Sequence, residues 1–403
     1  MNCRILLQTA SALAAVSTGT SAFAQSAGTA TEHAVTSPLL FQNDPEFWYE
    51  TVRLFGAAEY GGALFGEVVA IAQRIEAGNY DSWYDANNAF AERIASEAET
   101  QQKKDHRISA RDNFLRASSY YRSAEFLLHA NPDDPRVKHA YERSVACYKS
   151  AAALFTPAIV PLEIPYEGTT LPGYFHSPDT SGRRRPTILL NTGFDGSAEE
   201  MHWNGARAAV ERGYNVLVFD GPGQFGPLHR QGLHFRPDWE KVVTPVVDFA
   251  VARADVDPNK ITLYGASFGG YLAPRAAAFE PRLAACIADD GIYDYGASQL
   301  AGIPEQARAQ VLWALTAPSA PQLDARLEQM MKANSVARWA FTHGMYAMGV
   351  NSPRAYLAAT QAYNLRDGIA EKIKCPTLVW MPRRIFSSKA RRSFSSTTSP
   401  VRR

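Results

Sequence analysis

The run Gly265-Ala266-Ser267-Phe268-Gly269-Gly270 sets a serine between glycines two residues to either side. An apolar stretch of strand character, residues 261–264, leads into it, and a helical pattern follows. G-x-S-x-G between a strand and a helix makes a sharp turn that lifts the hydroxyl clear of the sheet. A side chain two residues before or after the serine would collide with the neighbouring strand and helix, so glycine is needed there. The helix then aims its first N–H groups at the same spot, where they favour negative charge. Such a serine attacks a carbonyl carbon and forms an acyl-enzyme that water hydrolyses. Gly- and Ser-rich turns also give the run by chance; the flanking elements lend it weight.

A tetrahedral oxyanion needs two N–H donors. One is the residue after the nucleophile, Phe268; the other comes from the loop after an earlier strand, here Phe194 in "LLNTGFDGS". An ordinary βα turn is the alternative for that loop. Asp220, in Asp220-Gly221-Pro222-Gly223-Gln224, heads a tight turn and is read first as structural. A serine also needs a histidine to take its proton and an acid to orient that histidine. Asp289 and Asp290 close a strand-like run and are candidates for the acid. The last histidine is His343, in the helical run "WAFTHGMYAMG", where packing or pocket lining is the simpler role.

The elements that must position these groups fall into two patterns. Residues 45–158 carry apolar positions at three- and four-residue spacing, the mark of helices. Two of those helices are separated by Asn131-Pro132-Asp133-Asp134-Pro135, as in an αα-hairpin. After Pro157 a strand pair is followed by alternating strands and helices, which implies a mostly parallel sheet with helices on both faces. The 403 residues, 46% hydrophobic, suffice for two domains with large cores. A net charge of +1 points to neither nucleic acid nor membrane as partner. Of four cysteines, Cys147, Cys286 and Cys375 lie far apart without a Cys/His cluster, so no disulfide framework, zinc site or cofactor is implied. Cys3 belongs to residues 1–24, which have an early Arg4, an apolar run and Ala22-Phe23-Ala24 before Gln25. That is the plan of a secretory signal cleaved after Ala24, with export to a periplasm or beyond.

With those motifs in place, residues 160–381 resemble the α/β-hydrolase fold. "GFDGSAEEM", "FDGPGQ", "GASFGG" and the helical N-terminal half are similar to one subgroup. It includes dihydroxypseudooxynicotine hydrolase, fermentation–respiration-switch esterase-like proteins and acylaminoacyl-peptidase-like hydrolases. The resemblance implies Ser267 as nucleophile, Phe194 and Phe268 as oxyanion donors, Glu199 or Glu200 near the pocket, and a helical cap over residues 292–373. Phe225 departs from it, since the subgroup usually has glycine after "GPGQ". The expected organisation is a signal at 1–24, a flexible lead at 25–44, a helical domain at 45–158, a hydrolase domain at 159–381 and a tail at 382–403. The expected substrate is a small ester, an amide or a diketone-like molecule. Nucleic acid is not expected as a partner, nor a membrane once the signal is removed; a homo-oligomer is left open. The rival reading is a non-catalytic binding or scaffold protein of the same fold.

The tail raises a difficulty. In this fold the acid follows the strand "PTLVW" and the histidine comes later. Residues 382–403 instead hold six Arg, one Lys and no acid or histidine, and they show neither strand nor helix period. An eighth strand and a last helix are therefore expected to be missing. Two readings are open: a solvated basic end, or a shift of reading frame, which would account for the missing acid and histidine. Trp and Met each have a single codon and every Pro codon begins CC, so reading from the last base of the Trp380 codon through Pro382 forces Asp-Ala. Permitted codons then regroup onward as Glu-Glu-Asp-Leu-Phe-Phe-Lys-Gly-Gln, an acid-bearing segment.

Overall fold

The computed structural model describes residues 39–380; the signal and basic tail expected from the sequence lie outside the described residues. Helix α1 (Pro45–Gly56) starts where Asp44 accepts hydrogen bonds from the N–H groups of Glu46 and Phe47, with Pro45 at its first position. Helices α2 (Phe65–Ala72), α3 (Tyr80–Lys103), α4 (Arg107–Glu125) and α5 (Pro135–Ala153) follow, and α4 packs on both α3 and α5.

The sheet has the order β1-β2-β4-β3-β5-β6-β7. Strands β1 (Val160–Tyr166) and β2 (Thr169–His176) form the expected hairpin, and β2 runs antiparallel to β4 (Asn215–Phe219). Strands β3 (Arg185–Asn191), β5 (Val256–Ala266), β6 (Ala285–Asp289) and β7 (Thr377–Trp380) complete it in parallel. Alternation along each strand sorts its side chains onto two faces. Leu217 and Phe219 of β4 join a core with Val242 and Val246 of α8 (Glu240–Val251) and Leu272 of α9 (Gly269–Ala277). Val216 and Val218 pack instead with Tyr120, Tyr148 and Ala206, the last on α6 (Ala206–Glu211). The N-terminal helices thus cover one face of the sheet and share its core.

Residues 198–213 read as one helix in the sequence. They form a 3-10 turn at Glu200–His202 and then α6, because Gly205 has a φ of 145° and breaks the run. Helix α7 (Phe225–Gln231), after the "GPGQ" turn, had no periodic signal; it is too short to show one. Between β6 and β7 lie α10 (Tyr295–Gln299), α11 (Glu305–Thr316), α12 (Pro321–Ala333), α13 (Ser335–Met348) and α14 (Pro353–Thr360), as the helical cap requires. Helix α13 is tied to the N-terminal half. Ser335 donates to Asp44 at 2.7 Å, Arg338 donates to the Gly78 carbonyl at 3.1 Å, and Trp339 stacks on Phe126. On β7 the side chains of Leu378 and Trp380 are exposed.

Candidate active site

Ser267 sits at the C-terminal end of β5 with a φ of 56°, in the left-handed region that a residue with a side chain seldom adopts. The flanking glycines permit it. A Cβ on Gly265 would lie 2.1 Å from the Gly269 carbonyl oxygen, and one on Gly269 would lie 2.7 Å from that of Thr192. Helix α9 starts two residues on, with the Gly270 N–H donating to the Ser267 carbonyl at 2.8 Å.

The loop after β3 lies directly against this turn. A Cβ on Gly193 would be 2.9 Å from the Ser267 Cβ and 3.0 Å from the Phe268 nitrogen. Phe194 and Phe268 meet edge to face with centroids 5.9 Å apart. Among the described residues, neither of their N–H groups is engaged in a backbone hydrogen bond. The fold therefore brings together the three residues expected to hold and attack a carbonyl. Gln224, visible in the sequence only as part of a turn, fixes the loop. Its amide donates to the Gly193 carbonyl at 3.1 Å and accepts from the Gly221 N–H and the Asn191 amide at 2.7 and 2.9 Å. Asn191 in turn accepts from the Trp239 indole.

The carboxylates sort into separate roles. Glu200 accepts from both Nε and Nη2 of Arg53 at 2.9 Å and pairs with Arg122, whose Nε lies 2.8 Å away, which makes it part of a buried ion-pair network. Asp195, next to Phe194, accepts from Arg53 at 2.7 Å, and its carbonyl accepts from Arg122 at 2.6 Å. Burial opposes ionisation of Asp195, yet Arg53 and Arg122 outweigh it and hold its carboxyl below the usual range. Glu199 accepts from the Tyr174 hydroxyl at 2.6 Å. Asp220 is buried and caps the Gly226 N–H; burial, then Glu199, pushes its carboxyl well up. At the end of β6, Asp289 accepts from the Tyr264 hydroxyl at 2.6 Å. Asp290 has a φ of 78°, and one of its carboxyl oxygens is buried without a hydrogen-bond partner among the described residues. Burial and Asp289 raise its carboxyl to about 6.

His343 is fully buried on α13 and does not bond to Ser267. Its Nε2 donates to the Phe194 carbonyl at 2.9 Å, and its Nδ1 meets His129 Nδ1 at 2.8 Å. His129 continues to Glu125 at 2.5 Å. Burial lowers His343 to about 4, so the imidazole is neutral at pH 7. Sequence reasoning missed Arg53, Arg122 and His129, because their partners lie in distant segments.

The network yields one pH-dependent expectation. Glu50 is fully buried; desolvation, against Arg53 and Arg122, raises its carboxyl from 4.5 to about 7. Below pH 4.5 both folded and unfolded chains hold its proton, so it contributes no pH dependence there. Between 4.5 and 7 the unfolded chain loses that proton first and stability falls; above 7 the penalty is constant, on the order of 3 kcal/mol. Glu50→Gln, compared with the parent by urea unfolding, should therefore gain in relative stability from pH 5 to pH 8. An unchanged difference between the two pH values would show that Glu50 stays ionised in the fold.

A model of FrsA-like esterases matches residues 77–294. Hydrolase LUC6 of a Fusarium species is 35% identical over 347 residues, covering 83% of this chain and 81% of its own. The 20-hydroxy-prefusarin hydrolase FUS2 of Gibberella moniliformis is 36% identical over 341 residues, with 83% and 81% covered. The crystal structure of 2,6-dihydroxy-pseudo-oxynicotine hydrolase, 24% identical, shares the fold with a TM-score of 0.62 over 81% of this chain and 80% of its own. By family model and by relatives aligned along four-fifths of its length, the chain is a hydrolase and belongs to the FrsA-like esterases of the α/β-hydrolase fold.

Proposed function

We propose that Ser267 is the nucleophile of an acyl hydrolysis, with the N–H groups of Phe194 and Phe268 as the oxyanion hole. The observation that carries this is Ser267 at φ 56° between Gly265 and Gly269, with the Gly193 loop laid against it. A strained backbone at a turn facing two unengaged N–H groups is what such chemistry requires. The serine oxygen bonds to the carbonyl carbon, its proton passes to a base, and the carbonyl oxygen gathers charge beneath the two N–H groups. Collapse expels the alcohol, the amine or, from a diketone, the enolate, which takes the proton, and water then releases the acid. The substrate is a small carbonyl compound: an ester, an amide or a diketone-like molecule. One relative is named for its action on 20-hydroxy-prefusarin. We assign the work to a periplasm or the extracellular space, on the signal-like character of residues 1–24.

The proposal includes impairment of this chain. Of its nine histidines only His33 falls outside the described residues, and among the others none hydrogen-bonds the Ser267 hydroxyl. That observation also favours a second reading, a binding protein without catalysis. A fluorophosphonate probe followed by peptide mass spectrometry separates the two. Slow labelling confined to Ser267 and abolished in Ser267→Ala is the expected result; no labelling after prolonged exposure at high probe concentration would leave the binding protein.

A further inference from the structure

Behind the oxyanion loop, Glu125 at the end of α4, His129 just after it and His229 on α7 point three ligand atoms at one another, all within 4.8 Å. We propose that these three side chains form a buried site for a divalent transition metal of the zinc class. The hydrogen bonds fix which atoms carry lone pairs. The Phe194 carbonyl can only accept, so His343 Nε2 carries a proton and donates to it at 2.9 Å. Of two Nδ1 atoms in contact one must donate; with the proton of His343 placed on Nε2, the donor is His129 Nδ1, at 2.8 Å. That leaves His129 Nε2 as a lone pair facing a Glu125 oxygen at 2.5 Å. Two acceptors in such contact need a cation or a proton between them.

His229 supplies the third atom. Its Nδ1 is held by the Tyr346 hydroxyl at 3.0 Å, while Nε2 has no hydrogen-bond partner among the described residues and lies 3.9 Å from Glu125 Oε2. Glu125 Oε1 is likewise buried without a partner among the described residues. The side chains of His129 and Glu125 are completely buried and that of His229 is 4% exposed. Two unpaired polar atoms in so dry a place are costly unless something binds them.

The donor set is two imidazoles and a carboxylate, which suits zinc and its first-row neighbours and leaves one position open. Each imidazole has its second nitrogen held by another side chain, His343 for His129 and Tyr346 for His229, as ligating histidines usually do. Phe225 and Tyr141, ringed around His229, form an apolar wall. A metal ion here would draw the Glu125–His129 pair apart by about 1 Å to reach ordinary coordination distances of roughly 2.0–2.2 Å. It would join α4 to α7 and, through His343, to the Phe194 peptide.

The test needs no substrate. The full chain, freed of any affinity tag and stripped with a chelator, is titrated with zinc by calorimetry, and its metal content is then measured after gel filtration. We expect about one ion per chain and a higher melting temperature. Tyr346→Phe should bind about 10- to 100-fold more weakly. His229→Phe, which keeps an aromatic ring in an aromatic pocket, should retain no zinc, and Glu125→Gln should do the same should the first variant not fold. Less than a tenth of an ion per chain in the parent, or parental affinity in either ligand variant, would overturn the site. None of these readouts depends on Ser267, so loss of catalysis and loss of metal are distinguishable.

Discussion

Read in the shifted frame past Trp380, the chain reacts with a fluorophosphonate at least about a thousandfold faster than it does as written. The expectation rests on the proposed mechanism, which needs a base that no histidine among the described residues offers to Ser267. If Ser267 is the nucleophile proposed above, its strained turn and the two N–H groups would by themselves give only the residual rate of a triad without its base. His343 cannot make up the deficit, because the Phe194 carbonyl and His129 occupy its two nitrogens. Beyond it the sequence holds no histidine. The shifted frame would supply an acid directly after β7, beside the end of β6 where Asp289 and Asp290 stand. Labelling rates of the two chains, side by side, decide the matter. Equal rates, or a gene whose shifted frame lacks a later histidine codon, would end the frameshift explanation.

Arg53→Met should destabilise the fold by about 3–5 kcal/mol in urea unfolding. The guanidinium holds Glu200 with two hydrogen bonds and Asp195 with a third, and Glu200 is nearly inaccessible to water. Removing the cation leaves carboxylates in a dry interior with only Arg122 to compensate. Methionine keeps most of the volume, so a large loss reports charge and not a cavity. Adding Glu200→Gln to Arg53→Met should recover part of the loss, because the uncompensated charge goes with it. A single-variant effect below about 1 kcal/mol would mean that the network contributes little to holding the loop next to Phe194.

The serine turn was legible because all its determinants are local: glycines at fixed offsets, an apolar strand before and a helix after. The parallel sheet was legible for the same reason, as short apolar runs alternate with helical ones. What encloses the loop was not. Arg53 and Glu200 are 147 positions apart, and His129 and His343 are 214 apart. Each of them, read alone, is an ordinary helix residue with no period or spacing to mark it. Gln224 could be read as a turn residue, but nothing near it in sequence reveals that its amide braces Gly193 from across the sheet. The break at Gly205 was missed because an apolar pattern continues through it; only a backbone angle that glycine tolerates shows where the helix stops.

The ties between α13 and the N-terminal helices bear on how a substrate gets in. A roof that hydrogen-bonds to Asp44 and Gly78 and stacks a tryptophan on Phe126 is riveted to the wall beside it. It cannot swing open as a hinged flap without tearing those rivets out. A path to Ser267 that leaves those ties intact would have to run beside α13, with its width set by side chains that stay in place.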